Sequence, residues 1–245
     1  MLVDPEIAPQ EGSPAANELR RARQVPGTSG TWGEEPVRSA YALAILNYRV
    51  ALDHAAAIAA LTADLHSAIS ASVVTRALVE VSSQAWWLLE PGIGHSKRVQ
   101  RMLALRYRSA CEGEKTAIAE GVPEKDLHTY AETKEQVARS ARDLGLAAPE
   151  VDRSKPWTVY VCGEERLPTA SWRVKEMFSD IDVPSIYALF SGYSHGELFV
   201  MLREFEQAAR GNLGMHYRSI VNVESFKGAV AVASYALYPP AQRLI

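Results

Sequence analysis

The hydrophobic pattern of the chain is helical over most of its length. From Pro36 to Leu65, apolar residues recur at the three- and four-residue spacing of one helix face, and alanine is abundant. Similar patterns predict further helices over residues 67–90, 95–120, 123–146, 171–179 and 219–238. Pro239 and Pro240 are expected to end the last of them, because proline cannot continue a helix. The pattern therefore predicts an all-α fold.

Two other segments complete the predicted architecture. Residues 182–210 are apolar on nearly every side, which is typical of a buried central helix, with Pro184 in its first turn. Residues 157–167 are rich in β-branched and aromatic residues and turn back through Gly163, which predicts a hairpin. We therefore expect a helix bundle of about six or seven helices with one small β-hairpin.

The N-terminal segment has a different composition. Residues 1–34 are rich in Pro, Gly, Ser and charge, and they offer too little apolar surface to offset the entropy of ordering the chain. We expect a disordered N-terminal arm with Trp32 as its anchor, followed by a single helical domain over residues 35–245.

Composition and charge narrow the class of protein. Lys plus Arg number 26 and Asp plus Glu number 29, which gives a net charge of −3 and excludes a protein that coats nucleic acid generally. No apolar run is long enough to span a bilayer, and the first residues lack the pattern of a signal peptide. Cys111 and Cys162 have no metal or redox spacing, so we expect a reduced, cytoplasmic protein, with a single disulfide as the alternative.

The first candidate site lies on the predicted central helix. Tyr187, Ser191 and His195 recur every fourth residue, so their polar atoms emerge from one apolar surface. These groups need partners, because an unsatisfied buried polar group costs roughly 1–3 kcal/mol. Arg76 and Glu80 lie one turn apart on the second helix and are the candidates. In the functional interpretation, Glu80 orients His195 as a general acid or base and Arg76 holds an anionic group. In the structural interpretation, the same residues form a network that fixes helix register.

The second candidate site is a basic run on the third helix. Residues 91–111 contain no acid. Lys97, Arg101 and Arg108 share one helix face, with Arg98 at its edge, which is the arrangement of a clamp for RNA phosphates or an anionic small molecule. The alternative is a solvated face paired with acids of the following helix.

Other chemistry leaves two alternative functions. Metal motifs, Walker A and dinucleotide fingerprints are absent from the sequence, so we expect neither a metal nor a cofactor. Trp87 is predicted to line an intra-bundle cavity with the central-helix residues, which would suit a small-molecule enzyme or ligand-binding protein. Residues 192–196 satisfy G-x-S-x-G, so a serine hydrolase acting through Ser194 is the third hypothesis, although that motif needs a strand before the serine.

Three stretches carry a family resemblance. RALVEVSSQAWWLLEPG at 76–92, the basic helix and YALFSGYSHGELF at 187–199 resemble a group of uncharacterised bacterial helical proteins, which is similar in outline to the HEPN superfamily. The resemblance implies an α-helical bundle that often dimerises. HEPN ribonucleases have an Arg, then four to six other residues, then a His. His195 matches the histidine, but residues 188–190 hold no arginine, so Arg76 would have to replace it from another helix. The leading hypothesis is a homodimeric, HEPN-like module that binds RNA or another anionic partner, with weak or no nuclease activity.

Overall fold

The fold is mostly helical. The computed structural model describes residues 9–28, 30–63, 68–154, 158–180, 184–195, 205–211, 214–219 and 223–244. The helices are α1 (Pro14–Ala22), α2 (Glu35–Ala63), α3 (Ala68–Leu88), α4 (Gly94–Ala119), α5 (His128–Asp143), α6 (Ala170–Met177), α7 (Pro184–His195) and α8 (Val223–Leu244), with a 3-10 turn at Glu124–Asp126. The strands are β1 (Glu150–Asp152), β2 (Val159–Cys162), β3 (Glu165–Arg166), β4 (Phe205–Gly211) and β5 (Gly214–Ser219). The predicted all-α fold with a small hairpin is confirmed.

The chain divides into two compact units. The first comprises Met1–Ala44 and Leu88–Pro168, and the second comprises Ile45–Trp87 and Thr169–Ile245. The division falls inside α2 and at the end of α3, whereas the sequence had predicted a single helical domain over residues 35–245. A flexible linker in the sequence is the usual signal of a domain boundary, and a division inside a continuous helix provides no such linker.

Helix α4 organises the first unit. It contacts α1, α5, β2 and β3, and its Val99 and Leu103 are buried, as is Val137 of α5. The three strands form an antiparallel sheet in the order β1-β2-β3. Gly163, at a φ of 60°, makes the turn between β2 and β3, where a residue with a Cβ would be strained. The predicted hairpin is thus present, and β1 extends it on the other side of β2.

Helix α1 corrects the prediction of a disordered arm over residues 1–34 at Pro14–Ala22, while residues 1–8 of that arm lie outside the described part of the chain. Ser13 caps the helix by accepting a hydrogen bond from the Ala16 N–H at 3.2 Å, and Leu19 is buried. Farther along, Trp32 Nε1 donates to the Leu144 carbonyl at 2.8 Å, so the predicted anchor is present. A nine-residue helix is marginal in isolation, and here tertiary contacts stabilise it. Those contacts are invisible in the local composition.

The second unit is built around a core shared by five helices. Its buried residues include Ile58 of α2, Leu78 and Val79 of α3, Val174 and Met177 of α6, Phe190 of α7 and Ala233 of α8. Phe178, just after α6, stacks on Tyr235 of α8 with ring centroids 5.4 Å apart. Tyr187 is partly buried against the same core. The central position predicted for α7 therefore agrees with the packing of its first turns.

The predicted central helix is nevertheless too long. Pro184 opens α7 as expected, but the helix ends at His195, and residues 196–204 lie outside the described part of the chain. Residues 205–211 form β4, which pairs antiparallel with β5. Glutamate, glutamine and alanine are good helix formers, but local propensity is a small bias, and pairing with a neighbouring strand overrides it.

The last helix also runs farther than predicted. Pro239 and Pro240 lie inside α8, which continues to Leu244. Arg243 follows the prolines, with its Cζ 4.0 Å from the centre of the Trp86 ring and its Nη1 donating to the Trp86 carbonyl at 2.6 Å. These contacts hold the final turn in place, whereas prolines would otherwise favour its loss.

Candidate functional site

Four polar side chains of the second unit meet between two helices. Arg76 and Glu80 lie one turn apart on α3, and Tyr187 and His195 lie two turns apart on α7. These four residues are called the α3–α7 cluster. The four-residue spacing predicted that each pair would share a helix face, and the structure brings the two faces together.

Glu80 fixes the guanidinium of Arg76. Arg76 Nε donates to Glu80 Oε1 at 2.8 Å. Burial of the guanidinium works against its charge, but the hydrogen bond and the negative charge of Glu80 outweigh it, so the pKa of Arg76 lies above its ordinary value. Arg76 is therefore a permanent cation with a defined orientation.

Tyr187 supports the same carboxylate from the other helix. Its hydroxyl donates to Glu80 Oε1 at 2.8 Å, the oxygen that also accepts from Arg76. The Tyr187 ring centre lies 5.9 Å from Arg76 Cζ, within the range of a cation–π contact. Burial, and then the hydrogen bond to Glu80, raise the pKa of Tyr187. The phenol therefore stays protonated and continues to donate.

His195 contacts Arg76 and not Glu80. Arg76 Nη1 lies 3.2 Å from His195 Nε2. A guanidinium can only donate, so Nε2 must accept and the imidazole must be the neutral tautomer with its proton on Nδ1. The hydrogen bonds run from Arg76 to His195 and from Arg76 to Glu80. The expectation that Glu80 orients His195 is therefore corrected, since Glu80 orients Arg76.

The α3–α7 cluster is accessible to solvent. His195 is exposed, and the side chains of Arg76 and Glu80 retain 22% and 33% of their accessible surface. An ion pair at this exposure stabilises a fold by roughly a few tenths of a kcal/mol. A ligand can therefore reach three of the four groups. Arg76 also has five N–H donors, of which Glu80 and His195 use two, so donors remain for a phosphate oxygen.

Ser191 and Ser194 take no part in the α3–α7 cluster. Ser191 is half-buried on the expected face of α7, and its hydroxyl is not among the groups that form the hydrogen bonds of the α3–α7 cluster. Ser194 Oγ donates to the Phe190 carbonyl one turn earlier at 3.0 Å. Because Ser194 lies within a helix, the strand that a nucleophile elbow requires before it is replaced by α7. The G-x-S-x-G match therefore lacks the geometry of a serine hydrolase.

Trp87 is part of the packed interior. Its side chain is 3% exposed, and it lies two turns beyond Glu80 near the end of α3. The predicted wall of a cavity shared with His195 would need this indole to be open to the surface from which His195 is reached. Its burial favours a packing role.

The basic run on α4 is largely neutralised. Arg98 is 2% exposed, and its Nε and Nη2 form a forked pair with Glu18 of α1 at 2.8 and 2.9 Å. It also donates to the carbonyls of Leu88 and Glu90. The predicted phosphate clamp is therefore wrong at Arg98, whose donors are turned into the first unit.

Arg101 is occupied in a similar way. It is 7% exposed and forms ion pairs with Glu90 and Glu165, both at 2.7 Å. Lys97 is more exposed and lies 3.9 Å from Glu165. Both residues have Glu165 of β3 as a partner, whereas the alternative interpretation had expected acids of the following helix.

Arg108 and Arg106 are the two remaining arginines of α4. Arg108 is half-buried, and its charge helps to lower the pKa of Glu112, after the hydrogen bonds that Glu112 receives from Tyr160 and Lys115. Arg106 is exposed. Two residues of the clamp predicted on α4, Arg98 and Arg101, therefore form structural ion pairs instead.

Glu18 is the important residue that sequence reasoning missed. It is 7% exposed and its carboxylate accepts from Arg98. The residue lies in a short segment of low apolar content, 80 positions before its partner. A capping serine followed by proline, Ser13 and Pro14, is the local signal that would have indicated a helix there.

The remaining observations concern metals, membranes and relatives. Among the described residues, no three His, Cys, Asp or Glu side chains gather as a metal site requires. None of the described helices has the length and hydropathy needed to cross a membrane. Cys111 and Cys162 are both free thiols, so the alternative of a disulfide is wrong.

Comparisons with protein-family models, curated proteins and solved structures find no match to this chain.

Proposed function

We propose that the protein is a HEPN-like helical module that binds RNA through the α3–α7 cluster, with weak or no nuclease activity. The observation that supports this proposal is the 3.2 Å contact between Arg76 Nη1 and His195 Nε2. An oriented guanidinium next to an exposed imidazole is suited to the oxygens of a phosphodiester, because both groups donate hydrogen bonds to anions. Arg76 supplies from α3 the arginine that residues 188–190 lack.

The same contact accounts for weak or absent cleavage. A general base needs a free lone pair within reach of the proton that it removes. In the structure, the lone pair of His195 Nε2 accepts the hydrogen bond from Arg76. The arrangement therefore favours binding of the phosphate over abstraction of a proton from RNA.

The proposal extends to assembly and location. By the HEPN resemblance, the active form is a homodimer, which sedimentation velocity would detect as a species of twice the 26.9 kDa chain mass. A single species at the chain mass across the accessible concentration range would contradict the dimer. The two free cysteines support a reducing, cytoplasmic location.

The test of RNA binding is a salt titration. A labelled single-stranded RNA oligonucleotide is titrated with the protein near pH 6, and fluorescence anisotropy gives Kd. If Arg76 and His195 together neutralise one phosphate, the logarithm of the affinity should fall with a slope of about −0.7 against the logarithm of salt, or about two- to threefold from 50 to 200 mM. The RNA should be recovered intact. Absence of binding at 50 mM salt would overturn the proposal, and saturable binding that ignores salt would point to contacts other than phosphate.

A further inference from the structure

We infer that RNA binding at the α3–α7 cluster takes up one proton, which His195 receives. This inference rests on the proposed function and adds a chemical requirement to it. A phosphodiester, with its single negative charge, would bind together with a proton from solvent. An N–H bond forms at His195 Nε2 with a proton from water or buffer, and no bond of the RNA breaks.

The hydrogen bond between Arg76 and His195 has a defined direction in the ligand-free protein. Arg76 donates to Nε2 of His195, so the ligand-free protein holds a neutral imidazole. A proton on Nε2 would remove the acceptor and place two cations at 3.2 Å.

The net charge of the α3–α7 cluster also matches an anion only when His195 carries a proton. Arg76 contributes one positive charge and Glu80 one negative charge, while Tyr187 and the neutral His195 contribute none. The ligand-free cluster thus has no net charge with which to attract an anion. A proton on His195 gives it one positive charge, which matches one phosphodiester. The phosphate oxygens then accept from both Arg76 and the imidazolium, which separates the two cations.

Charged and titratable residues are also carried by the other elements of the second unit. Arg76 and Glu80 of α3 and Tyr187 of α7 belong to the α3–α7 cluster; α6, which packs against α7, carries Arg173, Lys175 and Glu176, α8 carries Glu224, Lys227 and Arg243, and α2, which shares the core, carries Arg49, Asp53 and His54. Among these side-chain types and His195, histidine is the one that changes charge between about pH 5 and 8. His195 is exposed, so the proton can exchange directly with water.

The test measures the proton directly. The wild-type protein is titrated with the same single-stranded RNA in a calorimeter, at one pH near 7.5 and in two buffers of different ionisation enthalpy. The difference in observed heat between the buffers gives the number of protons bound. We expect up to one proton taken up, and a Kd that rises up to about tenfold for each pH unit above neutrality.

Two variants assign the proton. His195→Gln keeps a side-chain amide able to donate to phosphate but cannot take up the proton, so its Kd should be independent of pH. His54→Gln is the matched control, because His54 is also accessible and lies in the same unit on α2. It should retain the wild-type pH dependence.

The outcomes separate the two proposals. If no RNA binds at any pH from about 5.5 to 8.5, the proposed function fails and the inference falls with it. If RNA binds without proton uptake, or if His195→Gln keeps the wild-type pH dependence, the inference fails while RNA binding stands. Proton uptake that disappears in His195→Gln and persists in His54→Gln supports both.

Discussion

Arg76 and His195 stand 119 positions apart in the chain, yet Nη1 of the first lies 3.2 Å from Nε2 of the second. The contact joins two helices, and Glu80 and Tyr187 hold its arginine side in place. A guanidinium facing an imidazole is an unusual pairing for stability alone, because both groups can be cationic. It is better suited to an anion that takes a place beside both. The predictions below test this arrangement and the packing that supports the two units.

Replacing Tyr187 by Phe should loosen Arg76 without removing it. The substitution deletes the hydroxyl that donates to Glu80 and leaves the ring against the core. The free energy of unfolding should fall by about 0.5–1.5 kcal/mol, the usual contribution of one hydrogen bond. RNA affinity should fall by less than it does on removal of the arginine. Urea unfolding and anisotropy measure the two effects. Tyr235→Phe is the control within the same unit and should leave RNA affinity unchanged. An equal loss of affinity in both variants would contradict a specific role for Tyr187.

The ion pair between Arg98 and Glu18 should behave as a buried pair. Arg98→Met leaves the carboxylate of Glu18 without its guanidinium at 7% exposure, and should cost about 3–5 kcal/mol. Glu18→Leu leaves the buried guanidinium of Arg98 without its carboxylate and should lower the free energy of unfolding by a similar amount. The double variant removes both charges and should be clearly more stable than the sum of the single losses predicts. Urea unfolding of the four proteins completes the cycle. Losses that simply add would show that the two side chains do not interact.

Cys162 should make the fold sensitive to alkali. Burial raises the pKa of this thiol to about 12, whereas an unfolded thiol titrates near about 8.5. Between these two pH values the thiol is protonated in the folded protein and ionised in the unfolded chain. The stabilising contribution of the buried thiol is therefore complete below about pH 8.5 and is lost as the pH rises towards 12. The slope reaches about 1.4 kcal/mol for each pH unit.

Comparison with Cys162→Ala isolates that contribution. Burial also raises the pKa of Tyr160 to about 12, but Tyr160 is present in both proteins and its effect cancels. Urea unfolding from about pH 7 to 10.5 should show the stability advantage of the wild type over the variant shrinking as the pH rises. An advantage that stays constant to pH 10.5 would mean that the thiol is not shielded.

Ser194 should be unreactive towards reagents for serine hydrolases. Its hydroxyl donates to the Phe190 carbonyl inside α7, and no nucleophile elbow surrounds it. A fluorophosphonate probe should therefore leave the protein unlabelled, as judged by intact mass. Stoichiometric labelling that is absent from Ser194→Ala would revive the hydrolase hypothesis.

The sequence predicted the helices and the α3–α7 cluster for the same physical reason. Helical spacing is a local property, so the pairs Arg76–Glu80 and Tyr187–His195 were visible as residues on shared faces. Burial indicated that the two faces would meet, because polar atoms on an apolar surface require partners. What spacing did not reveal is the order of contacts, in which Arg76 separates Glu80 from His195.

The incorrect predictions concern features that are not local. Each of these features depends on contacts between distant parts of the chain. Arg98 and Arg101 form an apparent basic face, but Glu18, Glu90 and Glu165 neutralise them. Helix α1 depends on the pair that Glu18 makes. Strand β4 depends on pairing with β5, which local helix preference opposes. A local pattern carries no information about such partners.

The most direct test of the central claim is the RNA affinity of Arg76→Gln, measured by anisotropy near pH 6 against Arg49→Gln. Arg49 is exposed on α2 in the same unit, so both variants lose one positive charge from the second unit. Loss of the charged hydrogen bonds at Arg76 should weaken binding by about 10- to 100-fold, or roughly 1.5–3 kcal/mol. Arg49→Gln should stay within about twofold of the wild type. Equal, small losses in both variants would mean that RNA is held by general charge, and that the α3–α7 cluster is a structural network.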